Sequence, residues 1–370
     1  MNILIIGNGF DLAHGLKTGY GNFLDVIKTY GSSKIKIEDA DNTEPQHFCF
    51  LNIKKVRKVY QSDIFRYMRS RYAVNRGWID FENELREIVD EVCEFPECLV
   101  ENRYPQGSNS KITYRLANDW DKKVSTFMFF YIERRIKPDI QNDKEIIIYD
   151  ITKDVFRQIE DFIELFRKYI CWINAEQVPE VAEIELFKSL HIDKLLTFNY
   201  TYTAEYIYEG YWRLNDDICY VHGAVDDNPN NHIVMGIGTD FYDAFKHSEY
   251  LPFFKFYQYY KFKTDESYLK WIDEIRNGFF YSNSGCCDEH NNANKCNIYI
   301  YGHSLDPTDK NILLPFLDVK SRTPVKIIIY YYRDSNLKNM EKNLVKILGV
   351  EKFSEYLCGD NPKIQFRRNR

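Results

Sequence analysis

Short apolar runs, each followed by glycine or polar residues, mark two separate regions of the chain. The first run covers residues 3–6 and continues into Gly7-Asn8-Gly9. Similar runs recur beyond residue 190, at 194–198, 218–221, 297–301 and 325–332. Continuous apolar runs bounded by turn residues are typical of strands that are buried on both faces of a parallel sheet. The pattern therefore predicts such a sheet, with its first strand far in sequence from the others.

Apolar residues at helical spacing occupy most of the remaining chain. Between about 48 and 190 they recur every three or four positions, and the stretch 154–172 predicts one long amphipathic helix. Further helices are predicted at 11–29 with a break near Gly19, and at 203–212, 306–317 and 336–348. Alternation of strands and helices favours an α/β fold with helices on both faces of the sheet.

This organisation predicts two lobes. Residues 1–30 plus 191–370 would form a Rossmann-like α/β lobe that binds a nucleotide, and residues 31–190 a large helical insertion lobe. Parallel sheets bind ligands at the carboxyl ends of their strands. We expect four strand ends to converge there: Gly7-Asn8-Gly9, Thr197 to Thr201, His222-Gly223 and Gly302 to Asp309.

The first strand end has the form of a phosphate-binding turn. Gly7 and Gly9 allow a tight turn and close approach of a ligand, and Asp11 suits a helix N-cap or a polar contact to the ligand. Position 12 is Leu, so the third glycine of the dinucleotide fingerprint is missing, and the Lys-Ser/Thr pair of a P-loop is absent. Alone, this turn is compatible with a ligand-binding or a purely structural role.

Composition and charge narrow the classes of function. Apolar residues make up 44% of the chain and charged residues 28%, which is an ordinary globular balance. A net charge of −6 argues against a general nucleic-acid surface, and we expect the basic segment 367–370 to be a solvated tail. No apolar run approaches the roughly 18 residues of a membrane span, and the first strand lacks the basic flank of a signal peptide. A cytoplasmic protein is expected.

Cysteine usage agrees with that location. Nine cysteines fit reduced thiols in a cytoplasmic protein. Cys286, Cys287, His290 and Cys296 raise the alternative of a zinc site, but their spacing matches no Cys-x-x-Cys pair, and adjacent cysteines rarely bind one metal ion well. We expect a polar loop here and predict no metal site.

The four strand-end segments, with the first extended to Asn2–Gly15, together resemble the bacteriophage abortive infection AbiH family. The segment Gly77 to Glu82 resembles the helical-lobe motif of that family. AbiH sequences are in turn similar, more remotely, to sirtuin-like NAD-binding domains. The resemblance implies a sirtuin-like fold and an antiphage protein that hydrolyses NAD at the nicotinamide–ribose bond. The four-cysteine zinc module of deacetylase sirtuins is absent, which argues against deacetylation.

The same resemblance implies roles for individual residues. Asn199 would position the ribose and a water molecule, His222 would act as general base, and Asp11 would contact the ribose or stabilise positive charge. NAD would be a substrate or ligand, with no prosthetic group. The residues implied to bind it are Gly7, Asn8, Gly9, Phe10, Gly302, His303, Ser304 and Asp306. The chemistry fits, because nicotinamide leaves as a neutral molecule and a single base of ordinary histidine pKa suffices.

Other hypotheses remain open at this stage. A metal-dependent nuclease or nucleotide-processing toxin would need the carboxylates of Asp11, Asp80, Glu82 and Asp306 in one cluster. A non-catalytic nucleotide sensor would bind without turnover. In structural alternatives, His222 is a turn residue and Asn199 caps the helix that starts near 203. The helical lobe offers surface for self-association or for a phage-derived trigger.

Overall fold

A computed structural model describes residues 1–32, 52–74, 81–94, 99–102, 113–116, 126–134, 136–137, 145–146, 151–212, 214, 217–225, 232–238, 248–278 and 295–369. Strands within these ranges are β1 (Asn2–Ile6), β2 (Leu99–Asn102), β3 (Thr113–Leu116), β4 (Ile136–Lys137), β5 (Glu145–Ile146), β6 (Lys194–Thr197), β7 (Ile218–Tyr220), β8 (Cys296–Tyr301), β9 (Val325–Tyr331) and β10 (Ile364–Arg368).

Helices in the same ranges are α1 (Asn8–Ala13), α2 (Tyr20–Gly31), α3 (Ile53–Tyr60), α4 (Asp63–Val74), α5 (Phe81–Glu94), α6 (Thr126–Glu133), α7 (Ile151–Glu176), α8 (Glu185–Lys188), α9 (Thr203–Tyr208), α10 (Lys255–Phe262), α11 (Tyr268–Asn277), α12 (Lys310–Leu317), α13 (Asp334–Leu348) and α14 (Val350–Leu357). Short 3₁₀ turns occupy Val178–Glu180, Ser248–Phe253 and Pro307–Asp309. Every helix in this described part is too short or too polar to cross a membrane.

A six-stranded sheet forms the centre of the fold, in the order β7-β6-β1-β8-β9-β10. Each pair of neighbouring strands is parallel. Counted in chain order, the strands are arranged 3-2-1-4-5-6, which is the order of the Rossmann fold. The prediction of an α/β, Rossmann-like parallel sheet is confirmed.

Helices cover both faces of β1. Residues 3–6 are at most 1% exposed, and the pleat sends alternate side chains to opposite sides. Ile3 and Ile5 join a core that includes Trp271 of α11. Leu4 and Ile6 join a second core on the other face, which includes Phe10. This two-sided burial explains why the strand has no polar position between Asn2 and Gly7.

The chain forms two compact units. The first consists of Met1–Gly19, Ile170–Tyr242 and Leu251–Arg370, and it contains the parallel sheet; the second consists of Tyr20–Tyr169 and Asp243–Tyr250. Residues 20–30 therefore group with the second unit and residues 170–190 with the first, whereas the sequence divided the chain at 30 and 190. Since α7 runs without interruption through residue 170, no break in the sequence pattern marks that boundary.

The second unit has an aromatic core built on the predicted long helix. Phe162 and Phe166, one turn apart on α7, are both buried, as the helical spacing predicted. The Phe81 ring stacks on the Phe162 ring, with the two centroids 5.3 Å apart. The unit also contains an antiparallel sheet, β2-β3-β5-β4, which the helical prediction missed. Its strands are two to four residues long, too short to show an alternating pattern.

Other differences from prediction are local. The break expected near Gly19 within 11–29 is confirmed, since α1 ends at Ala13 and α2 begins at Tyr20, but α1 already begins at Asn8, because the chain turns directly after Gly7. The segment 367–370 is not simply a tail, since Arg367 and Arg368 belong to β10 at the sheet edge. Their side chains are exposed, as expected, while the backbone pairs with β9.

Candidate active site at the carboxyl edge of the sheet

Strand register brings the four strand ends to one edge of the sheet. Ile6, the last residue of β1, is paired with Thr197 of β6 and with Tyr301 of β8. Thr197 is in turn paired with Tyr220 of β7. Residues that follow these four positions therefore start from the same level of the sheet. This edge includes the ends of the neighbouring strands β1 and β8, between which the strand order reverses. Rossmann-like folds bind ligands outside the strand ends at that switch point.

Two glycine turns touch each other at this point. The Gly9 N–H donates a hydrogen bond of 2.8 Å to the Gly302 carbonyl, and the Gly7 N–H donates one of 3.1 Å to the Tyr301 carbonyl. Gly302 has a φ of +68°, and a Cβ there would lie 2.2 Å from the Phe10 nitrogen. Contact between the turns thus accounts for these glycines structurally. Their predicted role in binding a nucleotide stays a prediction.

Three other residues of the predicted nucleotide site differ in exposure. Asn8 is exposed, and its Oδ1 accepts a hydrogen bond of 2.5 Å from the Thr18 hydroxyl. Ser304 is also exposed. Phe10 is fully buried, with its ring 4.4 Å from the His14 ring and 4.9 Å from the Phe187 ring. The Phe10 side chain therefore belongs to the core.

Asp306 is partly buried at the start of a 3₁₀ turn. One of its carboxylate oxygens accepts a hydrogen bond of 2.9 Å from the Thr308 N–H. It is thus the N-cap of the Pro307–Asp309 turn. This capping contact fixes the turn that carries Asp309 into the interior.

Asp11 is a buried carboxylate within α1. The prediction that it caps this helix is wrong, because Gly7 is the N-cap. Its side chain faces the segment after β6 instead, where Oδ2 accepts a hydrogen bond of 2.7 Å from the Thr201 hydroxyl. Oδ1 is buried, and no described residue gives it a hydrogen bond of good geometry. Burial raises the pKa of Asp11 to about 6, against the lowering effects of Thr201, Thr203 and Asn199.

Asn199 lies next to Asp11, directly after β6. Its backbone N–H donates a hydrogen bond of 3.0 Å to the Thr197 hydroxyl. It does not cap α9, whose N-cap is Tyr202. The buried side-chain Nδ2 has no hydrogen-bond partner of good geometry among the described residues, although a weaker hydrogen bond from this amide contributes to lowering the pKa of Asp11. Asp11 Oδ1 and Asn199 Nδ2 are therefore buried beside each other, each without a well-aligned partner in the described part of the chain.

His222 follows β7 and is buried among charged groups. Its Nε2 lies 3.3 Å from Asp309 Oδ1. His303 Nε2 lies 3.4 Å from the other oxygen, Oδ2. The Phe198 ring packs against both imidazoles, with its centroid 5.1 Å from that of His222 and 4.2 Å from that of His303. The residues that the sequence singled out after β7 and β8 thus share one carboxylate.

Sequence reasoning missed Lys255, the fourth member of this cluster. Lys255 is 2% exposed, and its Nζ lies 2.7 Å from Asp309 Oδ1. Lys255 lies in the aromatic run 253–262, where α10 buries Lys255 and Gln258 and leaves Tyr260 81% exposed. A lysine on the apolar face of such a helix was the available signal, because a buried cation needs a counter-charge.

Several residues considered for metal binding are outside the described ranges, namely Asp80, Cys286, Cys287 and His290. Cys296 lies in β8 and is buried, which raises the pKa of its thiol to about 12. Among the residues that the structure describes, no group of three His, Cys, Asp or Glu side chains has the arrangement of a metal site.

Comparison with known proteins now adds to this geometry. The family profile described as bacteriophage abortive infection AbiH matches residues 3–331. The chain belongs to the AbiH family. No curated protein and no solved structure matches it. The more remote similarity to sirtuin-like domains therefore remains an expectation.

The AbiH match covers the chain from β1 to the end of β9 and includes every residue of the candidate site. Only β10, α13 and α14 fall beyond it. Membership of the AbiH family supports an antiphage role in abortive infection. The chemistry by which such a role is carried out has to be argued from the site.

Proposed function

We propose that this AbiH protein is an NAD glycohydrolase that acts in abortive infection. One observation carries the proposal: Asp11 Oδ1 and Asn199 Nδ2 are buried beside each other at the carboxyl edge of a Rossmann-ordered sheet, and neither has a well-aligned hydrogen-bond partner among the described residues. Buried polar atoms in native proteins are nearly always hydrogen-bonded, so such a pair calls for an explanation. A bound ligand that supplies both partners is a sufficient one.

A sugar hydroxyl has the chemistry that this pair needs. A hydroxyl donates one hydrogen bond and accepts others, so it satisfies a carboxylate oxygen and an amide N–H at the same time. Ribose presents two neighbouring hydroxyls next to its anomeric carbon. Asp11 and Asn199 would thus orient the ribose of NAD, and the amide of Asn199 would also hold the attacking water.

Hydrolysis of the nicotinamide–ribose bond requires a base and no acid. Water forms a bond to C1′ as the bond from C1′ to the nicotinamide nitrogen breaks, and the bonding electrons leave with neutral nicotinamide. The water proton passes to His222 and then to solvent. Burial and the nearby Lys255 lower the pKa of His222, so the imidazole is neutral near pH 7 and able to accept that proton.

The experiment measures nicotinamide release from NAD by the purified full-length protein, alone and with a lysate of phage-infected cells. We expect Asn199→Ala and His222→Ala to lower turnover by about 10²–10⁴-fold, the usual contribution of general base catalysis. His222→Ala should leave NAD affinity nearly unchanged, because the base acts in the transition state.

Matched controls remove the same side chains at exposed sites, with Asn336→Ala on α13 and His191→Ala before β6. Both should retain full turnover. Calorimetric titration with NAD separates binding from reaction. Binding without nicotinamide release, with or without the lysate, would favour a nucleotide sensor and overturn the glycohydrolase.

A further inference from the structure

Three ionisable side chains converge on the buried carboxylate of Asp309. Lys255 Nζ and His222 Nε2 lie 2.7 Å and 3.3 Å from Oδ1, and His303 Nε2 lies 3.4 Å from Oδ2. All four side chains are at most 8% exposed. Buried side chains stay ionised when an opposite charge lies next to them, and here a single carboxylate is in contact with one lysine ammonium and two imidazoles.

The contacts of this cluster fix which ring nitrogens carry hydrogen. The Leu305 N–H donates a hydrogen bond of 2.9 Å to His303 Nδ1, so in neutral His303 the hydrogen is on Nε2, facing Asp309. His222 also faces Asp309 through Nε2. The angle at Nε2 is outside that of a hydrogen bond, and Nε2 has no other partner among the described residues. An ionised carboxylate at 3.3 Å nevertheless repels a ring lone pair and attracts an N–H, which favours hydrogen on Nε2 of His222. Nδ1 is then the nitrogen that has a free lone pair.

We propose that Asp309 is the positioning residue of His222, holding it as the Nε2–H tautomer so that Nδ1 serves as the base, and that Lys255 keeps Asp309 ionised. The inference rests on the proposed function, because it assigns the proton acceptor of that reaction. Neither Asp309 nor Lys255 needs to touch the substrate in order to act in this way.

Electrostatics within the cluster agree with these roles. Burial would raise the pKa of Asp309, but Lys255, His222 and His303 outweigh it and hold that pKa well below its ordinary value. Burial and then Lys255 lower the pKa of His222, while Asp309 raises it and His303 lowers it. The other titratable groups that face the imidazole are Tyr200 and Tyr259, with ring centroids at 6.3 Å and 6.1 Å.

The first test requires neither a variant nor a substrate. Nitrogen NMR of the full-length protein labelled at histidine should show His222 with Nδ1 unprotonated, Nε2 protonated and a pKa below that of free histidine. A His222 ring protonated at Nδ1, or one that titrates as free histidine does, would overturn the proposal. Assignment of the His222 signal comes from its absence in His222→Ala.

The second test concerns Asp309. In Asp309→Asn the amide can donate to Nε2 and so favour the wrong tautomer, as an Asp→Asn change does in a catalytic triad. We expect kcat for nicotinamide release to fall about 10²–10⁴-fold with little change in KM. The NMR signal should shift toward the Nδ1–H form. The control, Asp273→Asn, alters a side chain that is 68% exposed and should change neither.

The third test concerns Lys255. Lys255→Gln removes the cation that holds Asp309 ionised, so the pKa of Asp309, followed by carbon NMR of protein labelled at aspartate, should rise, and Lys255→Arg should restore it. Lys261→Gln makes the same change at an exposed position of α10 and should leave that pKa unchanged. A pKa that does not move in folded Lys255→Gln would contradict the role of Lys255.

Failures of the two proposals are distinguishable. If the wild-type protein binds NAD but never releases nicotinamide, the glycohydrolase is wrong, while the tautomer of His222 still decides whether Asp309 positions it. If nicotinamide is released but Asp309→Asn retains full kcat, the glycohydrolase stands and the positioning role is wrong. Should Lys255→Gln fail to fold, the tautomer and pKa of His222 in the wild type decide the question.

Discussion

At the scale of single residues, Asp11 is held at the site at a cost in stability. Asp11 is 1% exposed, one of its carboxylate oxygens has no well-aligned hydrogen bond from the described residues, and burial raises its pKa from 3.8 to about 6. A raised pKa means that the folded protein binds this proton more tightly than the unfolded chain does. The Asp11 carboxyl therefore does not lower the free energy of unfolding below pH 4. Above pH 6 it lowers that free energy by its full amount, about 3 kcal/mol.

Asp11→Asn should thus stabilise the protein in a manner that depends on pH. We expect the variant to gain stability over wild type as pH rises from 4 to 6, by up to about 3 kcal/mol, since the amide never ionises. Urea unfolding of both proteins between pH 4.5 and 7.5 measures the difference. Asp273→Asn, on an exposed carboxylate, should show no such trend, and an equal effect of Asp11→Asn at both ends of the range would contradict the assignment.

His14 differs from His222, because both of its ring nitrogens form hydrogen bonds within the fold. Its Nδ1 lies 2.7 Å from the Phe10 carbonyl, which can only accept, so Nδ1 carries the hydrogen. Nε2 then accepts from the Tyr208 hydroxyl at 2.8 Å. Burial lowers the pKa of His14 and keeps it neutral. Both ring nitrogens of His14 are therefore used in structural hydrogen bonds, whereas the proposal for His222 leaves one ring nitrogen to act as a base.

At the scale of elements, the turns after β1 and β8 act as one unit. The Gly9 N–H to Gly302 carbonyl bond joins them, and neither Gly9 nor Gly302 has room for a side chain. Their contact sets the position of Asp11, the fourth residue of α1, relative to the turn that leads to Asp309. The alignment of the two halves of the site therefore depends on backbone packing.

Gly302→Ala tests this dependence. The new Cβ would meet the Phe10 nitrogen at 2.2 Å, and the φ of +68° adds strain. We expect a loss of about 2–5 kcal/mol in unfolding free energy, from strain and overpacking together. Gly15→Ala provides the control, because Gly15 has a φ of +80° with nothing within 4 Å of its Cβ position. That change should cost only the strain, about 1–2 kcal/mol, and similar losses in both variants would contradict a packed turn.

Much of this fold was predictable, because the strands and helices concerned have a clear pattern of apolar residues over a short stretch of sequence. Buried central strands such as β1 and β8 are apolar throughout, and α7 repeats its apolar residues over seven turns. The edge strand β10 escaped prediction, because its exposed Arg367 and Arg368 resemble a solvated tail. The four short strands β2 to β5 gave no alternation to detect.

The candidate site was predictable to the extent that its residues follow strands. Strand ends located Asn199 and His222, since parallel register carries them to one edge. The pairing of Lys255 with Asp309 joins residues 54 apart in sequence, and no periodicity encodes a contact of that kind. The hydrogen-bonding state of Asp11 Oδ1 likewise depends on tertiary packing.

At the scale of the whole molecule, the proposed activity predicts a change in infected cells. Cells that express the wild-type protein should lose most of their NAD after phage infection, and cells that express Asn199→Ala should keep it and release phage. Asn336→Ala should behave as wild type does, with both variants present at equal levels by immunoblot. Protection by Asn199→Ala equal to that of wild type would show that the antiphage role does not use this residue.

The pairing of β1 also has a consequence for synthesis. Its two neighbours are β6 and β8, and the Asn2 and Asn297 side chains that meet across one of those pairs are 295 residues apart. At about 5–20 residues per second, a ribosome takes roughly 15–60 s to reach β8 after making β1. During that interval a fully apolar segment has an open hydrogen-bonding edge, which is the condition that attracts chaperones or wrong partners. A nascent chain therefore cannot complete this sheet before β8, β9 and β10 have all been synthesised, so the two halves of the site come together only late in translation.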